Sequence, residues 1–277
     1  MYGNYFLNID TQDKAYVFGL LFADGHFGKT NPSISLQEDD KEYLEVVKNT
    51  IGIERPLRYI APSINRYSTK GQYCFSFVKE VNNILKHTDV QKSIFPNIEC
   101  AYMRHFIRGL FDGDGCISID SRYADNHLHI NDCAVPGTFY ILFNYYDHAA
   151  FVSNYLSDNC GISPSKIFTK IGNGNVEIYM IRWSGTKNLE KIRDFLYKDA
   201  NIFMPRKKIK FDTIRSGNRS NAGLCRSANM SSVVNINAVC PNCGLNFIYK
   251  RYKPKTFCTK KCQLSNIHKN RQSRPTE

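Results

Sequence analysis

No run of eighteen or more apolar residues occurs in the 277-residue chain, so no segment reads as a membrane-spanning helix. The opening stretch, MYGNYFLNIDTQDK, lacks a basic cluster followed by an apolar core and does not read as a secretory signal. The ten cysteines do not form a disulfide framework: Cys74, Cys100, Cys116, Cys133, Cys160 and Cys225 stand singly, and only four near the C-terminus are paired. Together these absences point to an intracellular, reducing setting and no membrane partner. Acids are nearly missing from the C-terminal part. From Met204 onward only Asp212 and Glu277 face 16 Lys and Arg, whereas the residues before it hold 23 acidic and 21 basic side chains. The net charge of +12 is therefore a property of the tail. A basic tail on a near-neutral body suits contact with phosphates, whose neutralisation releases counterions. A hydrophobic content of 42% supports one large core or two half-sized ones, with room for a small module.

What is present is a repeat. Tyr16-Val-Phe-Gly-Leu-Leu-Phe-Ala-Asp24-Gly25 and Phe106-Ile-Arg-Gly-Leu-Phe-Asp-Gly-Asp114-Gly115 match at a constant offset of 90 positions. In each, an aromatic, a Gly-Leu pair and a small residue (Tyr16, Gly19, Leu20, Ala23; Phe106, Gly109, Leu110, Gly113) share one helical face. Both segments read as helices, with Thr11 as N-cap of the first and Asn97, after Pro96, of the second. A glycine in mid-helix costs roughly 1 kcal/mol relative to alanine, and close approach of two backbones is the natural return for Gly19 and Gly109. If the two helices face each other, their C-terminal ends carry Asp24 and Asp114 side by side. Two acids at the negative ends of two helix dipoles repel unless cations neutralise them, which points to a divalent metal.

VFGLLFADG and IRGLFDGDG resemble the two motifs of single-chain LAGLIDADG homing endonucleases, a likeness that extends from about Thr11 to Ile214. The resemblance implies an α+β fold: a pseudo-symmetric pair of αββαββα units whose four-stranded antiparallel sheets form a saddle over double-stranded DNA. It implies a monomer with internal two-fold symmetry that cuts both strands to leave short 3′ overhangs. Carried over by position, the functional acid of each motif falls on Asp24 and Asp114, as catalytic residues and ligands of Mg²⁺. The earlier motif acid is kept at Asp112 and replaced by Phe22 in the first copy. Lys79, after a strand and before a helix, matches the place of a catalytic lysine; in the second half Gly185 takes that place, between Arg182 and Lys187. Gln37 and Asp39, and more loosely Asn144 and Asp147, match water-organising positions. Base and phosphate contacts are expected from Arg58, Arg66, Lys70, Arg122, Lys170 and Arg182.

The rest of the chain fits that plan. PSISLQEDDKEYLEVVKNTIGI and GTFYILFNYYDHAAFVSNYLSDNCGI each read as strand, then amphipathic helix, then a closing Gly-Ile. Further strands follow at 71–79 and 176–183. Alternation of Tyr73, Phe75 and Phe77 predicts a sheet with one buried face. The first half-domain is thus expected at residues 1–96 and the second at 97–215. Residues 216–238, rich in Ser, Asn and Gly, read as a linker. The module at 239–277 carries Cys240-Pro-Asn-Cys243 and Cys258-Thr-Lys-Lys-Cys262, the spacing of a four-cysteine structural Zn²⁺ site. Lys250, Arg251 and Lys253 beside Tyr249 and Tyr252 make that module an expected second DNA contact. The competing reading is a nucleic-acid binder of the same fold without cleavage, an intron maturase acting on RNA or a transcriptional regulator. Retention of both motif acids favours the nuclease.

Overall fold

The structure, a computed structural model, describes residues 4–26, 31–62, 70–87, 93–119, 134–216, 235–250 and 256–262. Helix α1 spans Gln12–Asp24, and Thr11 caps it as expected, its side chain accepting from the Lys14 amide at 3.2 Å. Strands β1 (Gly25–His26) and β2 (Ser33–Gln37) lead to α2 (Lys41–Ile51), β3 (Arg58–Ile60), β4 (Gln72–Ser76) and α3 (Lys79–His87). The succession then repeats: α4 (Cys100–Asp114), β5 (Gly115–Ile119), β6 (Gly137–Phe143), α5 (Tyr146–Cys160), β7 (Ile167–Ile171), β8 (Glu177–Ser184) and α6 (Thr186–Tyr197). A last helix, α7, covers Pro205–Thr213. Each half is therefore αββαββα, the arrangement the resemblance implies.

The sheets repeat as well. The first has the order β1-β2-β4-β3 and the second β5-β6-β8-β7, with all pairings antiparallel. Gly52 and Gly161 close α2 and α5 in the left-handed region, at φ 81° and 56°, which a residue with a Cβ adopts at a cost. The second motif helix starts later than expected. Its N-cap is Glu99, without a side-chain cap bond, so Asn97 lies upstream of α4.

In each sheet one face is turned to the helices and one away. On β6 the buried residues alternate, Phe139, Ile141 and Phe143, and antiparallel register puts Phe139 opposite Trp183 and Ile141 opposite Ile181. Phe111 of α4 stacks on Phe139 at 4.7 Å, and Phe139 stacks on Phe211 of α7 at 5.6 Å. In the first sheet Phe75 is buried with Ile34 and Leu36, as is Phe77 just past β4, and Tyr73 is half-buried; Cys74, between Tyr73 and Phe75, is buried too, so the alternation on β4 is incomplete.

The described residues fall into two units, one within 1–119 and 136–216 and the other within 120–135 and 217–277. In the second, β9 (Asn235–Val239) and β10 (Asn246–Lys250) form an antiparallel hairpin. Strand β9 begins inside the stretch read as a linker. No described helix is long and apolar enough to cross a membrane.

Candidate functional site

The site is built on the crossing of α1 and α4. A Cβ placed on Gly19 would overlap the Phe106 carbonyl oxygen and lie 2.9 Å from its carbon. One on Gly109 would overlap the Tyr16 carbonyl oxygen and lie 2.7 Å from the Leu20 amide nitrogen. These contacts are related by the pseudo-two-fold axis. The glycines are where they are because the partner's backbone occupies the space a side chain would fill. The crossing continues to the helix ends: a Cβ on Gly113 would meet Ala23 and lie 3.3 Å from Oδ2 of Asp24. Asp24 is thus adjacent to the last turn of the helix that presents Asp114. Both acids are exposed. Asp114 lines a small cavity with Phe22 and Ala23 of the first motif and Asn144 and His148 of the second half.

Two other acids near this crossing are structural. Asp112 is fully buried; it accepts from Tyr16 Oη at 2.6 Å and from the Met204 amide at 2.8 Å. Burial pushes its carboxyl up to about 6, against the opposing pull of Lys207 and these hydrogen bonds. Tyr16 also shares a short hydrogen bond with Tyr43, and burial holds both phenols well above their ordinary value. The symmetry mate of the Tyr16–Asp112 pair is Phe106–Phe22, whose rings lie 5.8 Å apart. Both positions differ between the halves: one crossing is a hydrogen-bonded polar pair and its twin an aromatic contact. That is the physical reason Phe22 can stand where the motif has an acid. The other structural acid, Asp40, receives both Nε and Nη2 of Arg206, at 2.7 and 3.0 Å.

Lys207 is the residue that sequence reasoning missed. Only 5% exposed, its ammonium donates to the carbonyl oxygens of Phe111 (2.8 Å), Asp112 (2.6 Å), Gly113 (3.2 Å) and Gly115 (2.7 Å). A buried cation thereby satisfies the orphan carbonyls at the C-terminus of α4 and opposes the helix dipole just where Asp114 projects. Burial lowers its pKa, partly offset by Asp112 and, more weakly, Asp24. A signal for it was in the chain. Gly52 and Gly161 recur 109 positions apart, Pro96 and Pro205 recur at the same interval, and that interval sets Lys207 opposite the buried Ile98.

Lys79 is the exposed first residue of α3, and among the described residues no hydrogen bond or ion pair joins it to Asp24 or Asp114. Gln37 ends β2 on the open face opposite Gln72, and Asp39 pairs with Lys70. Of the expected DNA contacts, Arg58, Lys70, Lys170 and Arg182 are exposed. Arg182 lies with its guanidinium 5.1 Å from the Phe168 ring centre. Lys250 ends β10; Arg66, Arg122, Arg251 and Lys253 lie outside the described residues.

In the second unit Cys240, Cys243, Cys258 and Cys262 gather with all four sulfur atoms within 4.8 Å of one another. Cys243 and Cys258 are 3.5 Å apart, and Cys258 and Cys262 3.6 Å. Those separations are too long for disulfides and close to the edge of about 3.8 Å that a tetrahedron with Zn–S bonds of ~2.3 Å requires. The donor set therefore fits a zinc ion. Desolvation raises the Cys240 thiol, but backbone hydrogen bonds at Cys258, Asn242 and Cys243 outweigh it and bring the group down to about 6.

No family model and no curated protein matches the chain. Among solved structures it is similar to the LAGLIDADG homing endonuclease I-LtrWI bound to target DNA, at 13% identity and a TM-score of 0.47, over 81% of this chain and 95% of that one. It is similar to the homing endonuclease I-WcaI bound to its DNA recognition sequence, at 13% identity and 0.47, over 76% and 90%. The N-terminal LAGLIDADG domain of WhiA matches at 14% identity and 0.43, over 71% and 88%.

Proposed function

We propose that the chain is a site-specific, metal-dependent endonuclease that hydrolyses one phosphodiester in each strand of a DNA duplex. The observation that carries this reading is the glycine-mediated crossing, which sets Asp24 against the last turn of the helix bearing Asp114. Two exposed carboxylates at two helix C-termini form an oxygen donor set suited to Mg²⁺. When bound there, such an ion supplies charge neutralisation at the phosphate and a more acidic water.

The chain's own residues do the rest. Asp24 and Asp114 orient water at the scissile phosphates and accept hydrogen bonds from it. Water's oxygen bonds to phosphorus, the P–O3′ bond breaks, the 3′ oxygen takes up a proton, and a 5′ phosphate remains. Lys207 fixes the end of α4 and adds positive charge beneath it, so that the Asp114 carboxylate is held without backbone carbonyls competing for solvent. Lys79 is the second candidate amine, acting from the start of α3. The open sheet faces, with Arg58, Lys170 and Arg182, lie against the duplex as a monomer, and the cysteine module holds Zn²⁺ as a structural ion and adds phosphate contacts through its basic side chains.

The test is cleavage of a duplex recovered from a randomised plasmid library by the full chain in Mg²⁺. Asp24→Asn and Asp114→Asn should each lower cutting by about 10³-fold or more while duplex binding persists. Lys207→Met should impair cutting more than Lys79→Met. Full cutting by either aspartate variant would remove the assignment. Tight binding by the wild-type chain with no cutting in Mg²⁺ or Mn²⁺ would instead establish the non-catalytic binder.

A further inference from the structure

The two open sheet faces have the same topology but different chemistry, and the register allows them to be read row by row. In the first sheet Ser33 lies opposite Ser76, Ser35 opposite Cys74 and Arg58, and Gln37 opposite Gln72. This face presents hydroxyls and amides, with Arg58 and Ile60 at its margin; Cys74 lies in it but is buried.

The second sheet is different. Leu142, Met180 and Phe168 form one continuous row across β6, β8 and β7. The next rows hold Tyr140 opposite Arg182, and Ile178 opposite Lys170. Met180 is buried, and Leu142, Phe168, Ile178 and Tyr140 are half-buried on the side facing away from the core. The apolar row is bordered by the exposed cations Lys170 and Arg182. Its inner end is at the reaction centre, since Leu142 lines the same small cavity as Asp114.

We infer that this apolar row reads the 5-methyl groups of thymines in the half-site next to Asp114, while the first sheet reads its half-site through hydrogen bonds. The inference rests on the endonuclease reading above. Cations at the borders suit a polyanion as occupant, and the only apolar groups that a DNA major groove displays at base-pair edges are thymine methyls. Leu and Phe side chains offer those methyls a dry contact and offer nothing to the donors and acceptors of a G·C pair, whose polar edges would be desolvated without a partner. Gln37 and Gln72 have the opposite preference, because an amide can both donate to and accept from adenine. The Arg182 guanidinium, already seated over Phe168, leaves the ring's far edge and Leu142 as the methyl-facing surface.

The test uses the full-length protein and a random-sequence duplex pool, selected for binding in Ca²⁺ so that no DNA is cut. The recovered site should be asymmetric, with thymine enriched in one half. Replacing those thymines by deoxyuracil removes only the methyls and should weaken binding about three- to fourfold per base, whereas the same replacement in the other half should have little effect. Leu142→Ala should abolish the sensitivity to deoxyuracil, and Gln72→Ala should leave it intact. Undiminished binding of deoxyuracil duplexes by the wild-type protein, a measurement that needs no folded variant, would overturn the inference and leave the nuclease reading standing. Failure to recover any duplex would overturn both.

Discussion

Replacing Gly109 by alanine separates two opposite expectations by sign. In a helix without close neighbours the change stabilises by about 1 kcal/mol, since alanine is the better helix former. Here the new methyl would overlap the Tyr16 carbonyl oxygen and lie 2.7 Å from the Leu20 amide nitrogen and 3.0 Å from the Gly19 carbonyl carbon. All three are backbone atoms, so no side-chain rotation relieves the contact. Ordinary non-bonded contact is ~3.5–4.0 Å, which requires α1 and α4 to part by roughly 1 Å. Overpacking of this kind costs about 1–3 kcal/mol and occasionally more; a clash with three backbone atoms belongs at the upper end of that range, so after a propensity gain of about 1 kcal/mol the net loss is about 2 kcal/mol. For a unit of this size that is a fall in Tm of about 4–8 °C, read by circular dichroism at constant pH and salt. Cleavage should fall further than stability, because the same displacement moves Asp24 relative to Asp114. A melting temperature at or above that of the wild type would refute the close crossing, and with it the geometric basis for two cooperating acids.

Other expectations follow from the same structure. Because burial raises Asp112 to about 6 in the folded protein, its contribution to stability is complete below about pH 4 and lost as pH rises toward 6. The wild type should therefore lose about 3 kcal/mol relative to Asp112→Asn across that interval, seen as a shift between their urea midpoints; parallel pH profiles would contradict it. Cys240→Ser should remove zinc measured by elemental analysis and unfold the hairpin of β9 and β10, while leaving the melting of the larger unit unchanged. A chain purified without zinc but with an ordered hairpin would refute the metal assignment.

Legible in the residues alone, unlike the short strands β1, β3 and β7, were the repeat, the two helices that end on Asp24 and Asp114, the strand-then-helix succession after each motif, the closing glycines Gly52 and Gly161, and the paired cysteines. All of these are local signals. Apolar spacing of three and four, an N-cap at Thr11, a left-handed glycine after a helix and a pair of closely spaced cysteines are written within a few residues of where they act. The offset of 90 positions doubled the signal of the motif helices, and an offset of 109 that of the closing glycines. Which side chains attend the acids depends on contacts distant in the chain. Lys207 reaches carbonyls 92 to 96 positions earlier in the chain, Met204 binds Asp112 across 92, and Arg206 reaches Asp40 across 166. A basic residue in a basic tail gives no local sign that it is buried. Its partners are backbone carbonyls, which every residue has, so no residue type at the other end marks the contact. For the same reason Lys79, placed by its position between strand and helix, opens α3 in solvent, and Asn97, a fitting cap by composition, precedes a helix that starts at Cys100. Phe22 shows the limit most clearly. Read alone it is a missing acid; only the packing of α1 on α4 reveals that its neighbour is Phe106, so that an aromatic contact stands where the symmetry-related crossing has a buried hydrogen bond.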